Sequence, residues 1–135
     1  MLQLTNENWT LLNDVNKEVN ALTIFTHDIT KWFKEDFWTV MKQQDDGMFH
    51  GDCDDYSLTK RFKLIQAGID YTNLRPALCW TEGMEFHCVL TVETDSGVYI
   101  LDNRYYDVTP WRNLPYTWHS RQVPGKYKWD IIVNA

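Results

Sequence analysis

Three cysteines among 135 residues are too few, and odd in number, for a disulfide framework, and no Cys-x-x-Cys pair occurs. At least one thiol is therefore free. Long hydrophobic runs are missing too: no stretch approaches the roughly 20 apolar residues that a membrane span needs. The N-terminus, Met1-Leu2-Gln3-Leu4-Thr5-Asn6-Glu7, lacks the basic region and apolar run of a secretory signal. Positive charge is short. Net charge is −6 and the pI about 5.0, an acidic balance that repels phosphate backbones and argues against nucleic acid. The two basic clusters, Lys60–Arg61–Lys63 and Lys126–Lys128, read as solvated faces. Repeats, low-complexity tracts and Pro/Gly/Ser linkers are absent, so residues 1–135 read as one domain.

What remains is an ordinary globular composition, 44% apolar and 24% charged, with seven Trp and seven Tyr. Most of those rings are expected in the core, and some along a groove for an extended ligand. From Trp9 to about Lys34, apolar residues recur at three- and four-residue steps (Trp9, Leu12, Val15, Val19, Leu22, Phe25, Ile29, Trp32), which predicts one or two amphipathic helices. The span 34–50 reads as mostly loop. Asp52 is a good N-cap, Asp54 and Asp55 place negative charge in a first helical turn, and Gly68 suits a C-terminal cap. Cys53 is then the first residue of a helix to about Ala67, with Leu58, Phe62 and Ile65 as its buried stripe. From Leu74 the period becomes two, giving strands at 74–80, 86–93 and 98–103, and a later one at 127–133. Helices followed by antiparallel strands indicate an α+β fold.

Cys53 is the candidate nucleophile, because a helix N-terminus is one of the few places that stabilises a thiolate. A loop at Thr94–Gly97 sets Glu93 opposite Val98 and Val89 opposite Asp102. His87 then shares a face with Asp102 as a diagonal neighbour, about 7–8 Å away along the backbone. A base and an orienting carboxylate are thereby supplied, although Cys53 could equally be an inert buried thiol and His87 a structural residue. Cys79 and Cys88 read as packing residues, with Cys88 pointing away from the His87 face. His27 and His119 read as surface or packing residues, His119 in a loop. Asp52, Asp54 and Asp55 crowd Cys53 and oppose its ionisation. They either face away as caps or hold a cation, for which calcium suits the oxygen donors. A zinc set of His50, Cys53, His87 and Cys88 matches no standard spacing.

Together, Gly51-Asp52-Cys53-Asp54-Asp55-Tyr56, His87-Cys88-Val89-Leu90 and Leu101-Asp102-Asn103 resemble the bacterial transglutaminase-like cysteine peptidases. The segments Val15-Asn16…Val19-Asn20 and Asp36-Phe37-Trp38 resemble that family's N-terminal part. The resemblance implies a papain-like fold and a Cys53–His87–Asp102 triad acting on a protein or peptide substrate through a thioester. It also implies an oxyanion hole using the Cys53 N–H and a side chain from the preceding loop, for which Trp38, Gln43 and Gln44 are candidates. No cofactor is required for the chemistry. Calcium beside the nucleophile would fall at Asp52 and Asp54. Known members are longer, carry export signals, and place Glu where this chain has Asp54. Compartment and substrate therefore do not transfer: a cytoplasmic, phage or mobile-element protein is expected, and a periplasmic one only with a leader outside this sequence. An endopeptidase leads. A cell-wall amidase or acyl transferase on the same triad, and a non-catalytic binding module, are the alternatives.

Overall fold

The computed structural model describes residues 1–25, 45, 47–126 and 128–132. Its elements run α1 (Asn6–Leu22), β1 (Thr23–Phe25), β2 (Phe49–Gly51), α2 (Cys53–Gln66), β3 (Leu74–Trp80), β4 (Phe86–Thr94), β5 (Gly97–Leu101), β6 (Thr109–Pro110), β7 (Thr117–Gln122) and β8 (Trp129–Ile131). Six strands form one antiparallel sheet in the order β6-β5-β4-β3-β7-β8, with α2 packed chiefly on β4 and α1 on α2. The α+β expectation holds.

The first helix begins where expected but ends at Leu22. The β-branched and aromatic Thr23-Ile24-Phe25 leave it to pair in parallel with Phe49–Gly51, which had been read as loop. The step from Leu22 to Phe25 thus imitates a helical period at the start of a strand, while Ile29 and Trp32 lie outside the described residues. The helix keeps Leu12, Val15 and Val19 in the core, yet its most specific contacts are polar. The Asn13 side chain accepts from the Val108 N–H at 3.0 Å. Asn16 Nδ2 donates to the carbonyls of Tyr105 and Tyr106, each at 3.1 Å, and Asn20 Nδ2 to those of Asp102 (3.0 Å) and Tyr105 (3.3 Å). Spacing of three and four puts these amides on one helical face. They tie α1 to the loop that follows β5.

In α2 the expected stripe is corrected. Leu58 is buried, but Phe62 and Ile65 are 44% and 38% exposed. The face turned inward carries Cys53, Tyr56, Ser57, Lys60 and Leu64, so Lys60, expected in solvent, is wholly buried. Only Tyr56 and Leu64 of that face are conventional core residues, which explains why an apolar count chose the wrong side. The helix ends as its glycine suggested. Gly68 has φ +102°, its N–H bonds the Ile65 carbonyl, and the Ile69 N–H bonds that of Leu64, a Schellman closure.

The β4–β5 hairpin has the predicted register, with Glu93 opposite Val98 and Leu90 opposite Leu101 around a turn at Asp95-Ser96. Leu74–Trp80 forms the predicted strand; the third ends at Leu101 rather than Asn103. β7 was not foreseen. It pairs with β3 through Trp80↔Thr117 and Leu78↔Ser120, with an irregularity that leaves His119 unpaired between them. His119 therefore belongs to a strand, and its ring meets Phe86 edge-on at 5.7 Å. Leu90 and Val92 face the helices, whereas Ala77, Cys79 and Val89 join a second core on the reverse face with Tyr116 and Trp118.

Candidate active site

Cys53 is the first residue of α2, preceded by Asp52 in extended backbone. The turn is closed by Asp55, whose Oδ2 accepts from the Asp52 N–H at 3.1 Å; the reciprocal approach of the Asp52 carboxylate brings neither oxygen into hydrogen-bond geometry. Cys53 is 6% exposed, and its sulfur accepts from the backbone N–H of Cys88 at 3.3 Å. Two segments 35 residues apart therefore meet at the thiol. Burial pushes the Cys53 thiol up to about 12; the Cys88 bond, the next largest effect, lowers it, and the negative charges of Asp54, Asp52 and Asp102 raise it further. The carboxylates oppose ionisation, as their sequence positions suggested.

His87 and Asp102 meet directly, Nε2 to Oδ1 at 2.8 Å, and both are buried. Asp102 takes two further bonds: the Arg104 N–H at 3.0 Å on Oδ1, and the Tyr116 hydroxyl at 2.5 Å on Oδ2. Burial by itself would raise the Asp102 pKa. The bonds from His87, Tyr116 and Arg104 outweigh it and hold the carboxyl below its ordinary value. Tyr116 in turn accepts from Arg104 Nη1 at 3.2 Å, and its ring stands edge-on to that of His87 at 5.6 Å. Tyr116 is not singled out by the sequence, and Asn20, which holds the Asp102 carbonyl, figures there only in a segment resembling the family, without a role. Tyr116 lies in a Pro- and Trp-rich run read as loop, and carries no spacing signal toward Asp102.

The remaining expectations divide. Cys79 and Cys88 are buried, on opposite faces of the sheet, with thiols raised chiefly by burial. Trp38, Gln43, Gln44, His27 and Asp36-Phe37-Trp38 lie outside the described residues, as does the His50 side chain. The zinc set is not assembled among the described residues, where Asp52, Asp54 and Asp55 are the group placed to share a cation, with ligand atoms within 4.8 Å of one another. These carboxylates are 3%, 0% and 2% exposed, and both Asp52 oxygens lack a hydrogen bond. Buried oxygen donors of one sign fit a hard divalent cation. Cys53 was surrounded by acid in the sequence; the fold makes that acid buried.

With this geometry in view, the relatives are decisive. The sequence model of the bacterial transglutaminase-like cysteine proteinase family (BTLCP) matches residues 1–134. The chain belongs to that family. Members are cysteine peptidases, and the fold agrees with solved structures of one protein. Legionella pneumophila LapG in its calcium-bound form superposes with a TM-score of 0.70 at 21% identity, over 89% of this chain and 67% of that one. The EGTA-treated form of LapG gives 0.74 at 19% identity, over 98% and 70%. No curated protein matches the chain in sequence. The transglutaminase-like fold, inferred from three short motifs, is thus the fold of this cysteine peptidase. No helix among the described residues is long and apolar enough to cross a membrane.

Proposed function

We propose that this peptidase cleaves peptide bonds with Cys53 as nucleophile, His87 as base and then acid, and Asp102 as the group orienting His87. The observation that carries the reading is the bond between His87 Nε2 and Asp102 Oδ1, one residue before the Cys88 N–H that meets the Cys53 sulfur. With Nε2 held by Asp102, Nδ1 is the nitrogen left to exchange a proton with the thiol. Cys53 passes its proton to His87 and attacks the carbonyl carbon, and the tetrahedral oxyanion draws on the Cys53 N–H, which as the first helical N–H has no intrahelical acceptor. His87 then protonates the leaving amine. Water, deprotonated by His87, resolves the thioester and restores the thiol.

Calcium belongs to this reading. We assign Asp52 and Asp54 as its carboxylate ligands, with Asp55 alongside, on the strength of their burial, their separation and the calcium-bound form of the similar LapG. Bound there, the ion would offset the charges that oppose thiolate formation. For the substrate, Trp80 and Phe86, their rings tilted 54° to each other at 4.7 Å and each more than a third exposed, form an aromatic ledge on the sheet face that carries Cys88. Such rings suit an extended segment with an apolar side chain.

The test is a proteome-derived peptide library incubated with the enzyme in calcium, with new N-termini read by mass spectrometry. Cleavages at a consistent site that vanish in Cys53→Ser are expected. No new termini, or the same set with Cys53→Ser, would contradict the assignment.

A further inference from the structure

Tyr116 stands where the triad reading leaves a gap. An orienting carboxylate works only if it is itself held, and Asp102 has two oxygens to fix. Oδ1 is engaged by His87 and by the Arg104 N–H, but among the described residues Oδ2 has one donor, the Tyr116 hydroxyl at 2.5 Å. Asp102 is 2% exposed, so water is a poor substitute. We propose, resting on the triad assignment above, that Tyr116 is a positioning residue of the reaction: its hydroxyl locks the Asp102 carboxylate in the rotamer that holds His87.

Core filling alone does not account for this placement. Phenylalanine would fill the same space, and a buried tyrosine needs one partner where this one has two. The hydroxyl donates to Asp102 and accepts from Arg104 Nη1 at 3.2 Å, while Arg104 Nη1 also bonds Glu82 at 2.7 Å. The chain Glu82–Arg104–Tyr116–Asp102–His87 is therefore continuous, from an exposed ion pair to the imidazole. Direction is fixed at each step, because a guanidinium only donates and a carboxylate only accepts, so the single hydroxyl proton must point to Asp102. A hydroxyl donating to an ionised carboxylate is among the stronger hydrogen bonds in a protein. The same residue constrains His87 a second way, with its ring edge-on at 5.6 Å and 70° to the imidazole. The phenol also packs edge-on against Trp118 at 5.7 Å.

Without the hydroxyl, Oδ2 becomes a buried unsatisfied oxygen. The carboxylate can then turn toward Arg104, and the imidazole loses a fixed acceptor. Outer partners of this kind are worth roughly 10- to 100-fold where they orient a histidine ligand on a metal, and the logic transfers to a histidine base.

The experiment uses Tyr116→Phe, which keeps the ring on His87 and removes only the hydroxyl. Two readouts are taken in the calcium-supplemented enzyme: the iodoacetamide alkylation rate of Cys53 at pH 7, and the His87 ring Nε2–H proton resonance. We expect alkylation to slow by about tenfold and the His87 resonance to move, as its bond to Asp102 loosens. A native alkylation rate overturns the proposal. So does a slow rate with an unmoved His87 resonance, which makes Tyr116 structural only. Should Tyr116→Phe fail to fold, Arg104→Gln, which retains the backbone bond to Asp102 but removes the guanidinium donor that turns the Tyr116 hydroxyl proton toward Asp102, must slow alkylation in the same direction; a native rate there overturns the proposal. His87→Ala is run in parallel. If it leaves alkylation intact the triad itself falls, whereas lost alkylation there beside a native Tyr116→Phe fails this inference alone.

Discussion

The backbone N–H of Cys88 points at the Cys53 sulfur from 3.3 Å, so the strand that carries His87 also touches the thiol that His87 is assigned to serve. One turn of helix and one strand thus fix the Cys53 sulfur from two directions.

Calcium should stabilise the folded protein, because the proposed site of Asp52, Asp54 and Asp55 is assembled in the native fold and not in the unfolded chain. At a free concentration 100-fold above its dissociation constant the gain is about 2.7 kcal/mol. Thermal unfolding with calcium against EGTA measures it. Asp54→Ala should abolish the difference, and a calcium shift that survives this change would displace the site.

Cys53 should also respond to the ion. Its thiol is raised to about 12 by burial and then by the charges of Asp54 and Asp52 among others, so neutralising those charges lowers it. Alkylation at pH 7 should be faster in calcium than in EGTA, by about tenfold for each pKa unit recovered. Equal rates would uncouple cation from thiol.

Much of this site was legible early because its signals are local or short-range. A cap residue, a cysteine and two acids announce a helix start, and a turn at Asp95-Ser96 fixes a register by arithmetic. Hidden were the contacts that join distant segments: Tyr116 to Asp102, and Asn20 to the Asp102 carbonyl. Neither has a periodicity to read. Lys60 was misread for a different reason, since a lysine between Thr59 and Arg61 resembles a surface residue unless one knows which face of α2 meets β4.

Lys60 gives a pH prediction. Burial lowers its pKa from 10.5 to about 7, with Asp102 opposing. Between those values the unfolded chain binds a proton that the folded chain does not, so stability should rise with pH across about 7 to 10.5. Lys60→Met should flatten that rise and stabilise the protein at pH 7 by on the order of 1–3 kcal/mol. Urea unfolding at pH 7 and 9 tests both; an unchanged slope in Lys60→Met would refute it.

The asparagine face of α1 should matter more than its exposure suggests. Asn16 is fully buried and bonds two carbonyls of the loop after Asp102. Asn16→Leu leaves both carbonyls without that donor and should cost about 1–3 kcal/mol in urea unfolding. A neutral effect would mean the loop is held elsewhere.

The aromatic ledge is assigned to substrate binding rather than chemistry. Trp80→Ala should raise KM at nearly constant kcat on any peptide the enzyme cleaves, the signature of lost uniform binding. A fall in kcat at unchanged KM would place Trp80 in the reaction instead.

The triad itself is tested most directly by peptide-resolved iodoacetamide labelling of the native protein in calcium, beside His87→Ala. The account predicts that Cys53 labels far faster than Cys79 or Cys88, and that His87→Ala removes this excess. Equal labelling of the three cysteines, or a Cys53 rate indifferent to His87, would contradict it.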